Sequence, residues 1–145
     1  MRLNLQSDYA LRMLMHLASS TDRLVTIGEV ADRFRISHNH LMKVAYLLGK
    51  EGLIHTVRGR AGGLRLAGRA EKIRVGDVVR RMEGDIHLVE CFAAEPGGCV
   101  ISGACRLKGV MHEAVDAFFS VLDRYTLADL VANPKLRALL NNEAA

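Results

Sequence analysis

All three cysteines of this 145-residue chain lie in one glycine-containing segment, CFAAEPGGCVISGAC. Cys91 and Cys99 are separated by seven residues, and Cys99 and Cys105 by five. Thiolates at these spacings in a loop can converge on one soft metal centre, and zinc and an iron-sulfur cluster are the two candidates. Neither spacing is the CxxC pair typical of structural zinc sites, which favours the cluster. Three sulfur ligands would leave one coordination position for a weaker oxygen or nitrogen ligand, where a small molecule could react.

The context of the cysteines favours metal ligands or redox groups over structural disulfides. The first twenty residues are apolar, but Asp8, Arg12 and His16 interrupt them with a spacing that favours an amphipathic helix over a signal peptide. No apolar run approaches the length of a membrane span. We therefore expect a cytoplasmic protein without membrane contact, in which an odd number of thiols stays reduced.

Positive charge is concentrated in the first half of the chain. Residues 1–80 contain 14 Lys or Arg against 7 Asp or Glu, whereas residues 81–145 contain 6 against 9. The densest stretch, residues 58–81, has eight basic and two acidic residues. Such a surface suits a polyanion such as a nucleic acid, although charge alone is equally consistent with a solvated face.

Helical periodicity in the basic half predicts a helix-turn-helix. Apolar residues recur at i, i+3, i+4 and i+7 within residues 11–18, 27–34 and 41–48. Thr26 and Glu29 have the spacing of a capping box, and Ser37 stands in N-cap position before the third helix. The link between the second and third helices is very short, which favours a DNA-reading motif over a plain helical hairpin.

A basic β-hairpin follows the third helix and predicts a wing. Residues 53–57 and 64–66 have strand character, and a glycine-rich tip joins them. We therefore expect a mostly α fold with a small β wing. The sequence contains no P-loop, nucleophile elbow or HExxH motif, so nothing in it suggests an enzyme. The candidate DNA contacts are polar residues at the start of the third helix and arginines of the wing tip: Ser37, His38, Asn39, His40, Lys43, Arg58 and Arg60.

The second half predicts a short helix at 75–82, the cysteine loop, and a helix across residues 106–125 that would be about 30 Å long. The broad apolar stripe of this helix could lie back on its own domain, but we favour pairing with the same helix of a second copy. The expected division is a winged helix-turn-helix at 1–80, a cluster-binding region at 81–105, a dimerisation helix at 106–132, and a tail at 133–145 that we expect to fray.

Six segments carry a family resemblance over nearly the whole chain: SDYALRMLMHLA, SHNHLMKV, VRGRAGGLRL, GDVVRRMEG, CRLK and YTLADLV. Together they resemble the iron-sulfur winged-helix repressors of the NsrR, IscR and RirA group, and are most similar to its nitric-oxide-sensing branch. The resemblance implies a homodimer that binds a double-stranded DNA operator, with one 4Fe-4S cluster per subunit held by Cys91, Cys99 and Cys105. It also implies that Asp8 is the oxygen ligand to the other subunit's cluster. Nitric oxide would destroy the cluster and release the DNA.

Several alternatives remain open. The seven-residue separation of Cys91 and Cys99 resembles the RirA branch, so an iron-responsive or redox-responsive regulator is the main alternative. The cluster could be 2Fe-2S, and His87, Glu90 or Glu95 could replace Asp8 as the fourth ligand. A zinc-stabilised DNA-binding protein and an electron carrier or redox-enzyme subunit are the other function classes.

Overall fold

A computed structural model describes residues 3–84, 86–92 and 99–141, and it has the expected mostly α architecture with a small β wing. No helix in these ranges is long and apolar enough to cross a membrane. The elements in chain order are α1 (Leu5–Ser19), α2 (Ile27–Phe34), α3 (His38–Lys50), β1 (Ile54–Val57), β2 (Gly63–Leu66), α4 (Val75–Glu83), α5 (Arg106–Leu122), α6 (Leu127–Leu130) and α7 (Pro134–Asn141).

Helix α1 lies at the centre of the main core. Its N-cap is Asn4, whose side chain accepts a hydrogen bond from the Ser7 amide at 2.8 Å. Met13, Leu14 and Leu17 of α1 are buried and pack among apolar residues of the surrounding elements. Because α1 contacts α2, α3, α4, α6 and α7, it connects α2 and α3 to the C-terminal half.

Helices α2 and α3 form the predicted helix-turn-helix. The capping box of Thr26 and Glu29 is present at the start of α2, as expected. Arg35 ends α2 in the left-handed conformation with φ of 53°, and the buried Ile36 ties the turn to the core. Ser37 occupies the N-cap position of α3, but its side chain makes no capping hydrogen bond within the described ranges. Its hydroxyl is therefore available for another partner.

Strands β1 and β2 form the predicted antiparallel wing, with Ile54 opposite Leu66 and Val57 opposite Gly63. Val25, just before α2, forms an additional antiparallel bridge with Leu64, through amide-to-carbonyl distances of 3.0 and 2.7 Å. This bridge fixes the wing to the helix-turn-helix.

Helices α4 and α5 meet in a second, smaller core. Val75, Val79 and Phe119 are its buried residues. Arg80 of α4 donates two hydrogen bonds of 2.7 Å to the Asp123 carboxylate beyond the end of α5, and its guanidinium lies 4.2 Å from the Phe119 ring centroid. These contacts anchor α5 to α4.

The C-terminal region differs from the sequence expectation. Helix α5 ends at Leu122, three residues early, because Thr126 and Asp129 form a capping box that starts the separate helix α6. The expectation of a frayed tail is wrong for residues 134–141, which form α7. Leu140 is buried in the core, and the Asn141 side chain bonds Ser20 Oγ at 2.6 Å. Residues 142–145 lie outside the described ranges.

Candidate DNA interface and metal-binding segment

The predicted DNA contacts of the recognition helix lie together on an open surface. Ser37, His38, Asn39, His40 and Lys43 are all exposed, around the first two turns of α3. The buried side chains of this helix, Leu41, Val44, Ala45 and Leu48, hold its other face against the core. The polar groups can therefore meet base edges or phosphates without disturbing the packing.

The wing presents its predicted arginines at an exposed tip. Arg58 and Arg60 are both exposed, and Gly59 between them has a φ of 111°, a conformation that favours glycine. A side chain at Gly62 would collide with the backbone carbonyl of Val57. The shape of the tip thus depends on its glycines, and this shape determines where the two guanidinium groups lie.

Two large apolar side chains on the recognition helix were missed by the sequence analysis. Tyr46 is 72% exposed and Met42 is 51% exposed, on the outer face of α3. The sequence contained a signal for them: both positions fall outside the apolar stripe at 41, 44, 45 and 48, which indicates that their side chains are exposed. An exposed aromatic ring and thioether next to Lys43 enlarge the candidate DNA surface with groups that can contact sugars or thymine methyls.

The three cysteines are free thiols in the segment that precedes α5. Cys91 is half-buried in a short helical turn, Glu90–Phe92; Cys99 is exposed; and Cys105 is half-buried at the N-cap of α5. In the ranges that can be described, no three His, Cys, Asp or Glu side chains lie close enough together to hold a metal ion. Residues 93–98, which include Glu95 and two of the loop glycines, lie outside those ranges.

Two of the three cysteines are positioned by the same helix. Cys105 directly precedes α5, and the Phe92 ring next to Cys91 stacks on His112 of α5 with ring centroids 3.9 Å apart. The first turn of α5 carries Arg106 and Lys108 and no acidic residue. Cations and free helix amides at this end attract a negatively charged centre. Soft sulfur donors in an electropositive environment fit an iron-sulfur cluster.

Asp8 lies in the first turn of α1 with its side chain 42% exposed. Its carboxylate pairs with Arg12 at 2.9 Å, and Asn4, not Asp8, caps the helix. The Asp8 carboxylate is therefore accessible from solvent. The other fourth-ligand candidates, His87 and Glu90, are exposed.

Helix α5 has two apolar faces. One face, which includes Val115, Phe119 and Leu122, packs in the smaller core with α4. A second face, called here the outer α5 face, is exposed and has alternating three- and four-residue spacings: Leu107, Val110, Ala114, Ala117 and Val121. This spacing is typical of the seam of paired helices. The intramolecular alternative therefore accounts for only one of the two faces.

Known proteins share both the sequence and the fold of this chain. It is 51% identical over 142 residues to the HTH-type transcriptional regulator NsrR of Shouchella clausii, covering 97% of this chain and 95% of that protein. It is 49% identical to the NsrR regulator of Bacillus subtilis, covering 92% of each chain. Among solved structures, T. potens IscR matches with a TM-score of 0.74 and 26% identity, covering 91% of this chain and 87% of that one.

A family model described as Rrf2, iron-dependent transcriptional regulator, matches residues 3–133. This range includes the exposed helix-turn-helix, the wing, the cysteine segment and α5. The relatives are regulators and not enzymes, in agreement with the absence of an enzyme motif in the sequence. From its fold, its DNA-reading surface and these similarities, the chain belongs to the Rrf2 family of iron-dependent transcriptional regulators and is a DNA-binding protein.

Proposed function

We propose that this protein is a homodimeric transcriptional repressor whose operator binding is controlled by one 4Fe-4S cluster per subunit, with nitric oxide as the signal. When bound, the cluster supplies iron that reacts with nitric oxide. Cys91, Cys99 and Cys105 hold it as thiolates. The similarity to NsrR regulators over nearly the whole chain supports this proposal.

The observation that carries the proposal is the anchoring of the cysteine segment to α5. Cys105 begins the helix, and the stacking of Phe92 on His112 holds the Cys91 turn against its second turn. Arg106 and Lys108 at the same end offset the negative charge of three thiolates. Formation or loss of a centre here would change the forces on the start of α5.

A continuous series of packed elements joins α5 to the recognition helix. Arg80 and Phe119 fasten α5 to α4, α4 packs on α1, and α1 packs on α3. If Asp8 of α1 binds the cluster of the second chain, the cluster also fixes the position of one DNA-reading head relative to the other. Loss of the cluster would then reduce operator affinity by changing the separation of two heads that must fit paired half-sites.

Dimer formation would use the outer α5 face, because it exposes five apolar residues at the spacing of a helix-pairing seam, which a second copy of the same helix would cover. The DNA contacts would come from residues at the start of α3 and from the wing tip: Ser37, His38, Asn39, His40, Lys43, Arg58 and Arg60.

Cysteine substitution tests the assignment of the ligands. Cys91→Ser, Cys99→Ser and Cys105→Ser, prepared anaerobically, should each lose most of the visible absorbance, iron and sulfide of the wild type, while circular dichroism still reports a folded helical protein. Ser102→Ala, in the same segment, is the matched control and should keep the cluster. A colourless wild-type protein with stoichiometric zinc would overturn the proposal.

The Asp8 assignment has a separate test. Asp8→Ala should still assemble a cluster on three cysteines but change its rate of reaction with nitric oxide or its effect on operator affinity. Arg12→Ala, which removes the surface pair of Asp8 and the contact of the Arg12 guanidinium with the Phe34 ring, is the control. If Asp8→Ala matches the wild type in spectrum, nitric-oxide reaction and operator affinity, the ligand role is wrong.

An iron-responsive repressor is the second candidate, favoured by the seven-residue separation of Cys91 and Cys99. Exposure of the holo-protein to an iron chelator without nitric oxide separates the two. Release of the operator under chelation, together with no response to nitric oxide, would favour this candidate.

A further inference from the structure

A polar cavity of about 480 Å³ lies between α1, α2 and α7, and none of its lining residues has a role in the proposed function. Its charged and polar lining comes mainly from α1, the segment before α2, and α2 with its end: His16, Arg23, Glu29, Asp32, Arg33 and Arg35. A volume of this order is within the range of small-molecule sites.

His16 is the most unusual residue of this lining. It is only 2% exposed, and neither Nδ1 nor Nε2 has a hydrogen-bond partner among the residues that the structure describes. Phe34 meets the imidazole edge-on with centroids 6.2 Å apart, but an aromatic ring does not replace a hydrogen-bond partner. Buried polar groups are nearly always paired, so two orphaned ring nitrogens beside a cavity indicate a missing partner.

Arg33 shows the same deficit. Its Nε is buried and also lacks a partner in the described part of the chain. Arg23, in contrast, is occupied by Glu29 at 2.6 Å, and that carboxylate also accepts from the Thr26 amide at 2.6 Å. Arg23 thereby offsets the negative charge of Glu29.

The cavity therefore combines unsatisfied donors with an excess of positive charge. Three guanidinium groups face two carboxylates, one of which, Asp32, is exposed. Neither Arg33 nor Arg35 forms an ion pair within the described ranges. Guanidinium and imidazole N–H groups that line a partly enclosed space match the oxygens of a phosphate or carboxylate group.

We infer that this cavity binds a small oxyanion, which accepts hydrogen bonds from His16 and Arg33 and is attracted by Arg35. The bound group gives the imidazole N–H of His16 and the Nε–H of Arg33 an acceptor. Because Arg33 and Arg35 lie at the end of α2 and in the turn before the recognition helix, the ligand links α1 to this turn. Its occupancy thus stabilises the helix-turn-helix, independently of the cysteine segment.

The test follows the imidazole nitrogen signals of His16 by NMR on the full-length apo-protein in a buffer without phosphate. Inorganic phosphate and, in a separate arm, succinate are added, with potassium chloride at matched ionic strength as the salt control. A saturable shift of the His16 signals with either anion and not with chloride is expected, and the two arms distinguish phosphate from carboxylate recognition. The signals are assigned by their absence in His16→Leu.

Arg33→Gln should weaken the response about tenfold or more, because a hydrogen bond to a charged group is lost. Arg69→Gln, which alters an exposed arginine paired with Glu71, is the matched control and should leave the response unchanged. The thermal midpoint provides a second readout, since a ligand that binds only the folded state raises it and Arg33→Gln should reduce that rise. The inference would be overturned if the His16 signals did not shift with either anion, shifted equally with chloride, or responded equally in Arg33→Gln. The cavity would then hold only water.

Discussion

Arg58 and Arg60 stand at the tip of the wing, where the surrounding residues from Val57 to Ala61 are all exposed. A guanidinium in this position can approach a phosphate or enter a minor groove without first breaking an ion pair in the described ranges. His16 is in the opposite situation, because burial has removed its ring from water. These two environments predict different responses to salt and to pH.

Replacing Arg60 with Ala should weaken operator binding and lower the slope of log affinity against log salt concentration by about 0.9, the effect of one phosphate contact. Fluorescence anisotropy with a labelled operator at several salt concentrations measures both quantities. Arg69→Ala changes the charge equally at a position away from the tip and should preserve the slope. An unchanged affinity and slope in Arg60→Ala would place the DNA surface elsewhere.

His16 should make the protein less stable in acid. Burial, followed by the nearby Arg23 and then Arg33, lowers the pKa of His16, while Glu29 partly opposes this shift. The unfolded chain therefore binds a proton below about pH 6.5 that the folded protein does not, so the free energy of unfolding falls as the pH drops through this region. The free energy of unfolding of His16→Leu, measured by urea titration between neutral and mildly acidic pH, should lack this pH-dependent decrease. Parallel stability curves for the two proteins would contradict the assignment.

The wing is the element whose geometry depends most directly on glycine. Gly59 has a positive φ, and Gly62 leaves no room for a Cβ next to the Val57 carbonyl. Since the tip carries two candidate DNA contacts, its distortion should affect DNA binding more than the distant core.

Gly62→Ala should reduce operator affinity and cost about 1 kcal/mol or more of stability, because the native backbone cannot accommodate the methyl group without moving. Gly68→Ala is the matched control, as nothing lies within 4 Å of a Cβ at that position. Operator titration and chemical denaturation of both variants give the comparison. If Gly62→Ala binds the operator as tightly as Gly68→Ala, the shape of the tip does not matter for DNA binding.

The elements that sequence predicts best are those whose start signals and periodicity agree. The Thr26–Glu29 capping box and the stripe of α2 located that helix correctly. The end of α5 was placed too late, because its apolar stripe continues to Tyr125 while the capping box at Thr126 starts a new helix. Helix α7 was missed because its stability comes from contacts distant in sequence, with Leu140 in the core and Asn141 on Ser20, and no local pattern reports these.

In the proposed dimer, assembly depends on the outer α5 face. The apolar stripe of α5 was predicted, but its division into one face on α4 and one exposed face required the packing of Phe119 and Arg80 to be known. Likewise, the cysteines could be identified from their spacing, whereas whether their thiols converge depends on loop conformation, and in the described ranges no three potential ligands lie close enough to hold a metal ion. Spacing alone does not determine that conformation.

Val121→Glu should separate the dimer, because two related copies would bury unpaired charge in an apolar seam. The dissociation constant should rise about 100-fold or more. Sedimentation across a concentration series measures it. Ser120→Glu introduces the same charge one position away, outside the outer α5 face, and should leave the dimer intact. A Val121→Glu dimer as tight as the control would show that the subunits pair elsewhere or that the protein is monomeric.

In the proposed mechanism, a cysteine-bound cluster controls the winged-helix surface in response to nitric oxide. The most direct measurement is an anaerobic titration of the holo-protein with nitric oxide in which visible absorbance and operator binding are recorded on the same sample. The proposal predicts that operator affinity falls in step with the loss of cluster absorbance, towards the affinity of the Cys105→Ser apo-protein. Full operator affinity after the cluster absorbance has disappeared, or an unreactive cluster, would contradict it.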